Sequence, residues 1–153
     1  LNAWIKWISA LSALLWLLSA CQPKEPLLPF SEVPEIRLVG LSHDTITEYK
    51  DILTLTFSYQ DGDGDLGFEE PETYAVFIRD ARLQTYDGFY LGPVAPPGVS
   101  VPVKGNLSVE FPSLFVFGTR QEESTRFYIY IKDRSGNQSN ELVTSAVTIR
   151  KPN

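Results

Sequence analysis

Cysteine is nearly missing from this sequence: among 153 residues, Cys21 carries the one thiol. A disulfide within the chain is therefore excluded, and any domain built from it must hold together by its core alone. Histidine is equally scarce. His43 is the single example, it sits in a polar stretch, and no nucleophile partner is visible, so catalysis has little to rest on and the chain reads as a non-enzyme. Basic residues are outnumbered, 13 Lys and Arg against 19 Asp and Glu, for a formal charge of −6. That balance argues against nucleic acid, whose binding rests on cations neutralising phosphates, and it suits a cation as ligand. There is no internal repeat and no long helical periodicity. No apolar run reaches the about 20 residues of a membrane span.

The longest apolar stretch, Ile8 to Leu18, is broken only by Ser9 and Ser12 and follows a lone Lys6. Its length fits the apolar core of a signal peptide, about 7–15 residues. All three Trp (Trp4, Trp7 and Trp16) lie in or beside it. The stretch ends in Leu18-Ser19-Ala20-Cys21, which resembles the lipobox of bacterial lipoproteins: a branched apolar residue, two small residues, then Cys. The resemblance implies a signal peptide over residues 1–20, cleavage before Cys21 and acylation of its thiol. A plain secretory signal with an incidental Cys, or a buried apolar helix, are the competing readings. Acyl chains contribute about 0.8 kcal/mol per buried methylene, and more than one chain gives stable anchoring. Residues 21–34 then form the lipidated Cys and a tether. Pro23, Pro26, Pro29 and Pro34 favour polyproline II at about 3.1 Å per residue, a reach of about 40 Å. Leu27, Leu28 and Phe30 interrupt its polarity and are candidates to dock on the domain or the membrane interface.

Residues 35–153 are about the size of one domain, long enough to bury a core without covalent staples. Period-2 alternation marks strands at Ile52 to Tyr59, Thr73 to Arg79, Asn106 to Phe111 and Arg126 to Lys132. Glu35 to Leu41 and Leu142 to Ile149 add a first and a last strand, with Gly and Pro clusters between runs. Six or seven short strands predict an all-β, two-sheet antiparallel sandwich, and with no Cys pair and no Trp in this stretch it is not of the antibody type.

The densest chemistry is Asp61-Gly62-Asp63-Gly64-Asp65-Leu66-Gly67-Phe68-Glu69-Glu70-Pro71-Glu72, six carboxylates with no Lys or Arg. Such crowding repels itself unless a cation sits among the oxygens, and calcium takes six to eight oxygen ligands. The segment resembles the Asp-x-Asp-x-Asp loops of EF-hands, dockerins and thrombospondin-type repeats. Asp61, Asp63 and Asp65 match the first, third and fifth loop positions and Glu72 the twelfth, but Leu66 stands where Gly is usual. A solvated acidic turn is the competing reading. Parity brings in a second loop. Asp61 extends the row Leu55, Phe57, Tyr59, and Asp133 extends Phe127, Ile129, Ile131, so both are expected to face inward at one end of the sandwich. The expected calcium ligands are Asp61, Asp63, Asp65 and Asp133, with Glu69, Glu72 and Asn137 as weaker candidates. For Asp133, pairing with Arg134 or with its own turn backbone is the alternative.

The lipobox, the Pro-rich tether, the Phe57 to Gly67 stretch and the Asp133-x-x-Gly136-Asn137-x-Ser139-Asn140 hairpin together resemble small Bacteroidetes lipoproteins with an immunoglobulin-like or cadherin-like domain. The resemblance implies a lipid-anchored protein of the cell envelope, at the outer membrane, and no particular activity. The side it faces stays open, because Gln22-Pro23-Lys24-Glu25 does not match the acidic surface-export signal of that phylum. The membrane, through Cys21, is one expected partner, and an envelope protein or a glycan is another. For a glycan, the irregular stretch 82–105 offers Tyr86, Phe89 and Tyr90 as stacking surfaces, unless these rings pack under the loop.

Overall fold

The computed structural model describes residues 30–152. The expected signal peptide, Cys21 and the tether up to Pro29 lie outside the described residues. Within them the protein is all-β. Ten strands form three sheets and no helix is present among the described residues: β1 (Glu35–Leu41), β2 (Thr45–Thr47), β3 (Leu53–Asp61), β4 (Val76–Asp80), β5 (Asp87–Phe89), β6 (Val103–Phe111), β7 (Glu122–Thr125), β8 (Phe127–Ile131), β9 (Leu142–Val143) and β10 (Val147–Arg150).

The strand orders are β1-β3-β6, β5-β4-β8-β9 and β2-β10-β7. All pairings are antiparallel except β2 with β10. This is compatible with a β-sandwich. Its core is made by the inward rows that alternation predicts: Leu53, Leu55 and Phe57 of β3, Val76 and Ile78 of β4, and Phe127, Ile129 and Ile131 of β8, all buried. Phe111 stacks on Phe127 with ring centroids 4.8 Å apart, and Phe89 meets Phe111 edge-on.

Several strands differ from their sequence forecast, each for a local reason. β3 runs to Asp61 rather than Tyr59, because Asp61 still pairs with Val103. The third expected strand begins at Val76, not Thr73; a turn closed by the Thr73 N–H on the Glu70 carbonyl precedes it and leaves Tyr74 exposed. β6 starts three residues early, at Val103, with the Tyr59 ring lying over Gly105. The last expected strand is two strands. At the break, the Thr144 hydroxyl accepts the Phe127 N–H and donates to the Ser145 carbonyl, so the chain leaves β8 and β10 joins β2 and β7 instead.

Strand direction places the loops. β3 ends at Asp61 and β8 runs towards Asp133, and Leu66 forms a bridge with Asp133. Acidic loop and hairpin therefore meet at one end of the molecule, closed beneath by the fully buried Leu66.

Candidate metal centre

Asp61 is the last residue of β3 and is 0 % exposed, and Asp133, just past β8, is 2 % exposed. Both continue apolar inward rows, as parity requires. Asp65 joins them: one carboxylate oxygen from each of Asp61, Asp65 and Asp133 lies within 4.8 Å of the others. A cation with 2.3–2.6 Å ligand distances spans such a gap.

The loop is held in place by backbone on every side. Gly62 donates to the Ser31 carbonyl at 2.8 Å, so residues 30–31, within the expected tether of residues 21–34, lie against the loop. Val101 donates to the Asp63 carbonyl and Phe68 to the Leu91 carbonyl. Gly64 and Gly67 have φ of 72° and 81°, and a Cβ on Gly67 would come within 2.2 Å of the Gly92 carbonyl oxygen. Only glycine satisfies both the left-handed backbone and that close approach. The loop thus turns Asp61 and Asp65 into one space with Asp133, while Asp63 lies outside that convergence but near enough for its charge to act on Asp61.

The hairpin supplies the opposite wall. Asp65 Oδ2 accepts from the Ser135 N–H at 3.0 Å and the Ser135 hydroxyl at 2.7 Å. Asp133 accepts from the Asn137 N–H at 2.7 Å and from its Nδ2 at 2.9 Å. Asp133 is therefore oriented by its own turn, as the alternative reading foresaw, and still takes part in the convergence. Asn137 serves here as its holder. Arg134 points elsewhere, donating to the Gly67 carbonyl, and neutralises none of the carboxylates. Ser139 accepts the Ile131 N–H at 3.0 Å, and Asn140 clasps both backbone groups of Ile36 at 2.9 Å. Each polar residue of the hairpin motif is thereby spent on building this end of the molecule.

What stays unsatisfied is specific. Both Asp61 oxygens, Asp63 Oδ1 and Asp65 Oδ1 are buried without a hydrogen-bond partner. The Asp65 amide leans towards Asp61 without reaching hydrogen-bond geometry. Buried polar atoms are normally paired, and unpaired buried carboxylate oxygens are costly. The consequence is visible in proton affinity. Burial, then the charges of Asp63, Asp65 and Asp133, push Asp61 up from 3.8 to about 7. Burial raises Asp133 as well, against the lowering bonds from Asn137.

Other candidate residues lie elsewhere. Glu69 and Glu72 are exposed and outside the convergence, because the chain turns away after Leu66 through the Phe68–Leu91 bond and the Glu70–Thr73 turn. Tyr86 packs on Tyr130 and bonds Glu141, and Phe89 packs against the core, leaving Tyr90, at 45 %, as the exposed ring of the three. His43 is exposed, beside Ser42, which pairs with Thr54 near the start of β3, far from Asp61.

Sequence reasoning missed two sets of residues. Ser135 anchors Asp65, and its only signal was its place within the Asp133 to Asn137 turn. At the opposite end, Asp80, Arg82, Glu123 and Thr125 form a buried polar network. No protein-family model, curated protein or solved structure matches this chain.

Proposed function

We propose that this protein is a lipid-anchored envelope lipoprotein whose immunoglobulin-like β-sandwich is stabilised by calcium at Asp61, Asp63, Asp65 and Asp133, and that it serves as a binding or structural module. One observation carries the metal reading: four buried carboxylate oxygens without partners lie on Asp61, Asp63 and Asp65, and Asp61 and Asp65 converge with Asp133. The donors are all oxygen, with no His or Cys, which selects a hard cation. Calcium suits the site better than magnesium, which demands strict octahedral geometry and gives up its waters reluctantly. The strand orders support the immunoglobulin-like reading: β1-β3-β6 corresponds to strands A, B and E, and β5-β4-β8-β9 to C′, C, F and G.

Thermal unfolding tests the metal. An ion bound only by the native state stabilises it by about 2.7 kcal/mol at a hundredfold excess over its dissociation constant. For a domain of this size, Tm is expected to rise by roughly 5 °C or more over the chelated protein. Extracellular calcium modules bind in about the 10⁻⁴–10⁻³ M range, so the titration must reach about 10 mM. Asp63→Asn and Asp133→Asn should reduce the shift, and Asp44→Asn, in the loop before β2, should not. An equal shift from sodium at matched ionic strength would mean screening and no site. Cys21→Ser tests the anchor independently: acyl labelling and membrane fractionation should both be lost.

A further inference from the structure

β6 is a nine-residue edge strand that pairs with β3 alone among the described strands. The ladder to β3 runs without a register shift from Val103 to Phe111. Its other edge therefore presents a straight row of backbone donors and acceptors, and no further backbone hydrogen bond involves residues 103–111 among the described residues. Burial along it alternates, with Lys104, Asn106, Ser108 and Glu110 exposed and Val103, Leu107, Val109 and Phe111 half-buried. The other sheet edges among the described residues are bulged or short: β1 carries a bulge between Leu38 and Gly40, and β2, β5, β7 and β9 span three, three, four and two residues. A long, flat, unpaired edge is a template for strand addition.

The sequence of this edge is complementary to itself. We propose that β6 pairs antiparallel with β6 of a second copy of this chain, about a two-fold axis at Leu107. In that register Lys104 faces the partner's Glu110 at both ends, Asn106 faces Ser108, and Val103 faces Phe111 on the core side. Pro102 lies opposite Pro112, and since proline has no N–H to donate, the two prolines bound the ladder at both ends. It is the one two-fold register that pairs all nine residues. Sliding by one step, to an axis at Asn106 or Ser108, sets Lys104 against Ser108 or strands it beyond the ladder, and Glu110 loses its cation. A two-fold axis makes the contact isologous, so it closes as a dimer and does not propagate into a fibre. The paired sheets become one sheet in the order β1-β3-β6-β6-β3-β1. The acidic ends of the two copies lie far apart along it, so dimerisation is independent of ion binding.

The interface is small, and a dissociation constant in about the micromolar range is expected. Sedimentation velocity of the full chain in mild detergent, over concentrations spanning that range, should show a reversible monomer–dimer equilibrium. Lys104→Glu and Glu110→Lys each place like charges together at both ends and should weaken the dimer at least tenfold. Circular dichroism and Tm should stay unchanged, since both side chains are exposed. Mixed together, the two variants should form a heterodimer in which every charge pair is again opposite, and the double variant should dimerise like the parent. A parent chain that stays monomeric at about 0.1 mM, well above micromolar dissociation, would overturn the proposal. So would single variants that dimerise unchanged, or a mixture that fails to recover the dimer.

Discussion

Replacing Arg82 by alanine is expected to lower the unfolding free energy by about 3–5 kcal/mol, the loss seen when one partner of a buried ion pair is removed. Asp80 ends β4 with 8 % exposure, and the Arg82 side chain is about as buried. The guanidinium donates Nη2 to Asp80 Oδ2 at 2.6 Å, and Nη1 to Glu123 Oε2 and to the Phe115 carbonyl at 2.8 Å each. Its flat face lies 4.1 Å from the Phe117 ring centre. Burial alone would raise the Asp80 carboxyl, but the bonds from Arg82 and Thr125 outweigh it and hold Asp80 below its ordinary value. Truncating Arg82 removes the cation, leaves Asp80 buried without its neutralising partner and takes one cation from Glu123. Against a total stability of about 5–15 kcal/mol, that is a large share. Urea denaturation at pH 7 measures it. Arg37→Ala is the control: its bond to Glu35 is exposed, and such pairs contribute about 0–1 kcal/mol. Equal losses from the two variants would refute the assigned role of the network.

The contrast between the two ends of the molecule explains what the sequence could disclose. The acidic end was legible because its residues are close in sequence and fall on strand parity. Asp61 follows Phe57 and Tyr59 at steps of two, and Asp133 follows Ile129 and Ile131 likewise, so burial of the rows implied burial of the carboxylates. The Asp80 network had no such signal. Asp80 and Arg82 are a short-range pair of unlike charges, ordinary in any turn, and Glu123 lies 41 residues from Arg82. β2, β5 and β7, at three to four residues, are too short for periodicity to register and exist because longer neighbours offer edges. The split between β9 and β10 depended on one hydroxyl, that of Thr144, taking a place in the ladder. Glu69 and Glu72 looked equivalent to the three Asp by charge alone. The turn after Leu66, set by contact with Leu91, separates them.

The metal-free protein is expected to lose stability as pH rises from about 4 to about 7, against the usual trend for an acidic protein. Asp61 has a folded-state value of about 7 against 3.8 ordinarily. Between those limits the native state holds a proton that the unfolded chain has released, so each pH unit removes up to about 1.4 kcal/mol of stability. The span sets an upper bound of ~4 kcal/mol, shared among carboxylates that titrate as a coupled group. Below about pH 4 the sign reverses. Asp80 and Glu123 have lowered values, and the stability they contribute is lost as they protonate. Stripped protein should thus be most stable near pH 4–5, where the two branches cross. Calcium at the proposed site would compete with the proton for the same oxygens, so saturating ion should flatten the decline between pH 4 and 7, and its affinity should rise over that range. Asp61→Asn separates charge from geometry. The amide is nearly isosteric and carries no charge, so at pH 7 the stripped variant should be more stable than the parent by as much as ~4 kcal/mol. The same variant should lose most of the calcium-induced rise in Tm. Urea melts at pH 4, 5.5 and 7, with and without calcium, read both effects. A stripped parent with no decline above pH 4 would show that the Asp61 carboxylate is already neutralised or hydrated, and the metal reading would lose its main support.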